Sequence, residues 1–324
     1  MVYYHFNSAI FLKIIIAWEI TVKSTKSKKS LLSNIGEAVV LLLLVFTIRT
    51  FGFGLYQLPP SGSMATTMLD GERYVADKFT ILFTKIKCGD IVSMNAPTFK
   101  FSSNPVVHAF QKYVWGPENW TKRVIGKPGD VVKGVIENGK TEIYVNGKKL
   151  DEPYLNKYPL IEVWRKDPAE LEKIIEQNPN INLGMFLGLK TYDPSKPFDK
   201  QPYQKINKDR IFADSQGKPV LLYPRTPIPH SGRKIVQGKN YWGTGDEFYV
   251  ELGKDQYWVM GDNRLGSADS RVFGPIDGSR IHGRIVFRLI SVDSDETWQI
   301  LDFVKNPVSF CKRIRWNRLF QKVV

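Results

Sequence analysis

The most apolar window of the 324-residue chain runs from Ile35 to Leu58, and its centre, Ala38 to Ile48, holds one polar residue, Thr47. A helix over that window would rise about 35 Å, enough to cross the hydrocarbon core of a bilayer. The uninterrupted run is short for a span, so a buried core helix fits the same pattern. Glu37 and Arg49 flank the run, and near the ends of a span such side chains reach the headgroups. Gly52, Phe53 and Gly54 form a small-x-small pattern that would also suit a cleaved secretory signal, although Arg49 sits awkwardly for one. An earlier apolar stretch, Ile10 to Val22, is interrupted by Lys13 and Glu19 and is a candidate second span.

Past Leu58 the apolar positions fall into short runs broken by turn residues: GERYVADKF, KCGDIVSMNAP, TKRVIGKPGDVVKGVIENGK and TEIYVNGKKL. Runs of this kind predict antiparallel β-strands. Asn138-Gly139 and Asn146-Gly147 have the composition of tight hairpin turns, and Pro128-Gly129-Asp130 ends a strand. Strand patterning returns at FYVEL, DQYWVMGD and IHGRIVFRLISV. Between these blocks, about 151–240 is rich in Pro, Asn and Lys and predicts one helix. Asp167 is its N-cap, Pro168 its first residue, Leu171, Ile174 and Ile175 its apolar stripe, and Asn178-Pro179 its stop. The fold class expected is therefore mainly β, an antiparallel sheet behind an N-terminal transmembrane helix, with an α/coil insertion. The segments are a basic N-terminal stretch at 1–30, an anchor at 31–58, a β body at 59–304 and a basic amphipathic tail at 305–324.

Charge adds orientation. The chain carries a formal charge of +14, which fits either nucleic acid or an anionic membrane surface. The placement of the charge favours the membrane: Lys23, Lys26, Lys28 and Lys29 precede the apolar window, and Lys312, Arg313, Arg315, Arg318 and Lys322 crowd the C-terminus. In that C-terminal stretch, FCKRIRWNRLFQKVV, apolar and basic residues mix as in a helix lying in a membrane interface, or as in a solvated basic tail. By the positive-inside rule the lysine-rich segment is cytoplasmic and everything after Leu58 lies outside. Two cysteines, Cys88 and Cys311, make no disulfide framework, and four scattered histidines have no metal-ligand spacing.

The candidate chemistry starts at PSGSM, Pro60 to Met64, a few residues beyond the proposed span. Gly62 leaves the Ser63 hydroxyl accessible. Serine needs a base, and no histidine has a promising context, so lysine is the alternative. In NWTKRVIG, read as a strand, Trp120, Lys122 and Val124 share one face while Thr121, Arg123 and Ile125 share the other. Desolvation between apolar neighbours would lower the Lys122 pKa and free its amine to act as a general base. MGDNRLGSADSRVFG, Met260 to Gly274, packs Asp262, Arg264, Asp269 and Arg271 among small polar residues, the composition of an ion-paired loop. A calcium loop fails there, because Ser267 and Phe273 stand where glycine and glutamate are required.

These three separated motifs, in this order behind an apolar span, resemble the type I signal peptidases, membrane-bound Ser/Lys proteases that remove signal peptides from exported preproteins. The resemblance covers roughly Pro59 to Leu150 and Tyr241 to Val292. It implies a barrel-like antiparallel catalytic domain with Ser63 as nucleophile, Lys122 as general base and Ser61 with the Ser63 amide as the oxyanion hole. It further implies that Ser267 orients the lysine, that Arg123, Asp262, Arg264, Asp269 and Arg271 give structural support, and that Pro60 and Met64 lie at the substrate pocket. Gly89-Asp90-Ile91-Val92 is similar to the family's substrate-wall strand. The implied partners are preprotein signal peptides, the lipid bilayer and the protein-export translocon, with no nucleic acid, metal or organic cofactor. The implied location is the cytoplasmic membrane, single-pass, with the catalytic domain on the outer face and cleavage after small residues. Thr66-Thr67 stands where the family usually has Pro-Thr, Leu265 and Gly266 stand where polar residues are common, and the insertion is unusually long. Two other readings share parts of the pattern: a self-cleaving Ser/Lys repressor-type protease, and an inactive membrane-anchored protein that binds signal peptides without cutting them.

Overall fold

The computed structural model describes residues 31–57, 62–114, 116–181, 186–221, 241–242, 245–294 and 299–323. The candidate second span and the lysine-rich segment lie outside them. The chain packs into two units, the first made of the described residues up to Gly52 with Ser102–Glu118, the second of Phe53–Phe101 with the remainder.

In the first unit, helix α1 (Leu31–Thr47) continues through a wider π turn, Ile48–Gly52. None of Ile35–Gly52 is buried in the structure, which a core helix would require, and by length and composition the helix is able to cross a membrane. Helix does not persist to Leu58 as the apolar window predicts. Gly52 and Gly54 weaken it, and Phe53–Gln57 form strand β1 instead, paired with β2 (Glu72–Asp77). A second helix, α2 (Pro105–Tyr113), interrupts the stretch expected to be β. Its Asn104 cap accepts from Val106 N and Val107 N at 3.0 and 3.2 Å, and Pro105 occupies the first turn, an Asn-Pro signature visible in the sequence.

The second unit is mainly antiparallel β. Its large sheet runs β1-β2-β14-β3-β4-β12-β13, where β3 is Ile91–Asn95, β4 is Asn119–Gly126, β12 is Gln256–Met260, β13 is Ile276–Asp277 and β14 is Ile281–Ser291. Register shifts along β14 against both neighbours bend the sheet. A smaller sheet joins β5 (Val131–Glu137), β6 (Lys140–Val145), β7 (Lys148–Lys149), β10 (Tyr241–Trp242) and β11 (Phe248–Glu251). Asn138-Gly139 and Asn146-Gly147 link its hairpins with positive φ at both central residues, as type I′ turns demand. One core, with Ile125, Phe248 and Trp258, joins the two sheets, and a second, with Val92, Val124 and Val259, lies within the large sheet.

The insertion folds on itself. Strands β8 (Leu160–Trp164) and β9 (Leu187–Thr191) pair only with each other among the named strands, joined through helix α3 (Pro168–Gln177), whose Asp167 cap accepts from Ala169 N at 3.0 Å. At the other end, α4 (Ser270–Phe273) precedes β13, and α5 (Gln299–Lys305) and α6 (Pro307–Lys312) follow β14. The final stretch is not one amphipathic helix. It leaves α6 for a 3₁₀ turn at Trp316–Arg318 and strand β15 (Gln321–Lys322), which pairs with β14. Ion pairs explain the difference: Arg313, Arg315 and Arg318 turn inward to Asp302, Asp293 and Glu72 instead of staying on a solvated face.

Candidate active site

Lys122 sits on β4 opposite Val92 of β3, deep in the large sheet, and is 4% exposed. Strand alternation places its Nζ 6.0 Å from the Trp120 ring centroid, on the expected face. Its Nζ donates to Ser267 Oγ at 3.0 Å. Burial pushes the amine down to about 8, with Asp269 and Asp262 pulling upward and Arg271 adding to the fall. Arg123, the next residue, points to the opposite face. There it forms a bidentate pair with Asp262 at 2.9 and 2.8 Å, donates to Gly89 O at 2.8 Å and lies 3.9 Å from the Tyr154 ring centroid. A one-residue step along a strand thus puts the permanent Arg123 guanidinium and the buried Lys122 amine on opposite faces of β4.

The loop from Gly261 to Asp269 carries Ser267. Asp269 is fully buried, accepts from Gly261 N at 3.0 Å and takes the Arg271 fork at 2.9 Å on both oxygens. Burial alone would raise the Asp269 carboxyl, but Arg271 overrides it and holds it below its ordinary value. Arg271 also reaches Asp246 at 2.7 Å and Arg264 O at 2.6 Å. The four charges of the loop do not simply pair among themselves, because Asp262 goes to Arg123 and Arg264 to Glu152. Motif reading missed Glu152 and Asp246, since both partners lie outside the motif and only the fold brings them in.

Ser63 is half-buried on a turn closed by Ala65 N to Gly62 O at 3.1 Å and Met68 N to Met64 O at 2.8 Å. Asn263 fastens this turn. Its amide donates to Ser63 O at 3.1 Å and its Nδ2 to Gly62 O at 2.9 Å, while Asn156 Nδ2 donates to its Oδ1 at 3.1 Å. Asn263 lies inside the GDNR motif yet escaped notice because charge, not amide chemistry, drew attention there. Gly261 brings the parts close: a Cβ on it would stand under 3.0 Å from both the Ser267 hydroxyl and Ser63 O. Gly62 adopts φ +62°, and a Cβ there would press on Leu189 O of β9 at 3.1 Å. Gly266 is small for a similar reason, since Asn263 Nδ2 and Leu160 Cδ1 fill the space a side chain would take.

Pro60 and Ser61 lie outside the described residues. Met64 does not line an open pocket: it is 1% exposed and packs with Met68, Tyr74 and Ile91, because the turn drives its side chain into the core beneath Ser63. His282 is pushed down to about 3 by burial, its ring nitrogens within hydrogen-bonding distance of the Tyr56 hydroxyl and Asn119 Oδ1, which is a structural role.

The sequence has clear relatives among known proteins. Residues 31–290 match the family described as signal peptidase, peptidase S26. The chain is 36% identical over 269 residues to signal peptidase I T of Bacillus subtilis (strain 168), covering 82% of this chain and 90% of that protein. It is 37% identical over 267 residues to signal peptidase I of Bacillus amyloliquefaciens, covering 82% and 89%. A crystal structure of a signal peptidase I from Enterococcus faecalis V583 aligns with 62% of this chain and 97% of that one, at 17% identity and a TM-score of 0.26. The chain belongs to the signal peptidase family, peptidase S26. The enzyme class that follows from membership is a serine endopeptidase of the signal peptidase I kind.

Proposed function

We propose that this protein is a membrane-anchored endopeptidase that releases signal peptides from exported preproteins, with Ser63 as nucleophile and Lys122 as general base. The observation that carries the proposal is a buried amine lowered to about 8 and hydrogen-bonded to Ser267, which shares the crowded face of Gly261 with the Ser63 backbone. Donation of one N–H to Ser267 Oγ orients the neutral amine and directs its lone pair to the Ser63 proton. Ser63 then attacks the scissile carbonyl, and the Ser63 amide with the Ser61 hydroxyl stabilises the oxyanion. The protonated lysine returns its proton to the leaving amine. Neutral again, Lys122 deprotonates the water that releases the acyl group. Helix α1 anchors the chain, the β body works outside the membrane, and shallow subsites restrict cleavage to small residues. Sharing a bilayer with the substrate raises the effective concentration at which they meet. Processing of a model preprotein in detergent tests this directly: Ser63→Ala and Lys122→Ala should each lose roughly three orders of magnitude or more. Parental activity in either variant would defeat the assignment.

A further inference from the structure

The family match ends at residue 290, yet the residues beyond it reach back to the turn that carries Ser63. Arg318, on the 3₁₀ turn after α6, donates through Nη2 to Thr66 O at 3.3 Å and Thr67 O at 3.0 Å. The same guanidinium holds both Glu72 oxygens, at 2.6 Å from Nε and 3.2 Å from Nη2. Glu72 is fully buried and also accepts from Leu69 N at 2.8 Å and from the hydroxyls of Ser291 and Tyr74. Arg288 of β14 completes the cluster, with Nη2 on Thr67 O at 2.6 Å and an ion pair to Glu72 at 3.2 Å. Two further C-terminal side chains grip the same stretch: Arg315 donates to Asp70 O at 3.1 Å and Gln299 to Gly71 O at 2.6 Å.

We propose that the C-terminal segment is a positioning element for the nucleophile, acting through Arg318, whose fork fixes the peptide planes of Thr66 and Thr67 and so the orientation of Ser63. The inference rests on the assignment of Ser63 as nucleophile. The physical basis is a two-point fixation. Asn263 holds the turn at Gly62 and Ser63, Arg318 holds it three and four residues later, and the Met68 to Met64 hydrogen bond couples the two. A planar fork with several donors is able to satisfy two carbonyls and a carboxylate at once, which a lysine ammonium on a flexible stem does poorly. Loss of the outer anchor lets the Ser63 hydroxyl and amide drift from the geometry that attack requires, while substrate contacts made elsewhere persist.

The experiment compares full-length parent, Ser63→Ala, Arg318→Met, Arg318→Lys and Arg313→Gln in detergent. Arg313 pairs with Asp302 and donates to Asp293 O within the C-terminal stretch, so its variant reports the loss of that stretch's own packing. Near-UV circular dichroism gives the folded fraction, and kcat and KM for a model preprotein are measured across pH. The expected result is a kcat per folded molecule lowered about tenfold to a hundredfold in Arg318→Met, with KM and the acid-limb midpoint unchanged. Arg318→Lys should recover part of that loss, and Arg313→Gln should lower the thermal midpoint at parental kcat. Parental kcat in Arg318→Met, or in Arg318→Lys should the methionine variant not fold, overturns the inference, as does an equal fall in kcat in Arg313→Gln. Activity in Ser63→Ala would instead overturn the nucleophile assignment.

Discussion

Lys122 is held in a place that its ordinary chemistry resists. A charged ammonium buried at 4% exposure loses its hydration, and the nearby Asp269 and Asp262 compensate only in part, so the amine falls to about 8 from an ordinary 10.5. The sign for stability follows from proton binding. Between about 8 and 10.5 the unfolded chain holds the lysine proton more tightly than the folded one, so this group's penalty is full below that window and disappears as pH rises through it. Replacing Lys122 with Met removes the penalty, and Lys122→Met should be more stable near neutral pH by about 1–3 kcal/mol while losing activity. Thermal unfolding measures the first effect and preprotein processing the second. The face of the strand that carries Lys122 was legible because the two-residue period of a strand sets Lys122 between Trp120 and Val124. The partnership of Asn263 with the Ser63 turn was not, since no local pattern announces which backbone carbonyl a distant amide will find.

Among the elements, β4 and the β12–α4 loop carry most of the site, and their union depends on the Arg123–Asp262 pair, whose side chains are 3% and 1% exposed. Breaking one side of such a pair leaves a buried charge without compensation. Asp262→Ala should therefore lower stability by about 3–5 kcal/mol, read as a shift in the denaturant midpoint. The Asn-Gly hairpins and the α3 cap were legible because each is chemistry written within a few residues. Three elements escaped the sequence for identifiable reasons. Strand β1 hides inside an apolar window that composition reads as one helix, α2 declares itself only by its Asn104-Pro105 cap, and the C-terminal arginines look like a solvated face until Glu72, Asp293 and Asp302 are placed beside them.

The molecule as a whole combines an N-terminal apolar helix with a mainly β body, and its excess of basic charge is partly spent inside that body. The overall balance of +14 invites a search for an external anionic partner, yet Arg123, Arg271, Arg288 and Arg318 answer internal carboxylates at or beside the Ser63 turn. A count of charges does not by itself show which of them face a partner, because part of the excess is paired inside the fold. The proposed lysine base also predicts how the intact enzyme responds to its medium. The most direct test is the pH dependence of kcat/KM for one preprotein substrate, measured on the full-length parent in detergent. The account predicts a rate that climbs with a single proton loss centred near 8, where the Lys122 amine becomes neutral. A rate that stays level from acidic to alkaline pH, or that is already complete well below neutrality, would contradict it.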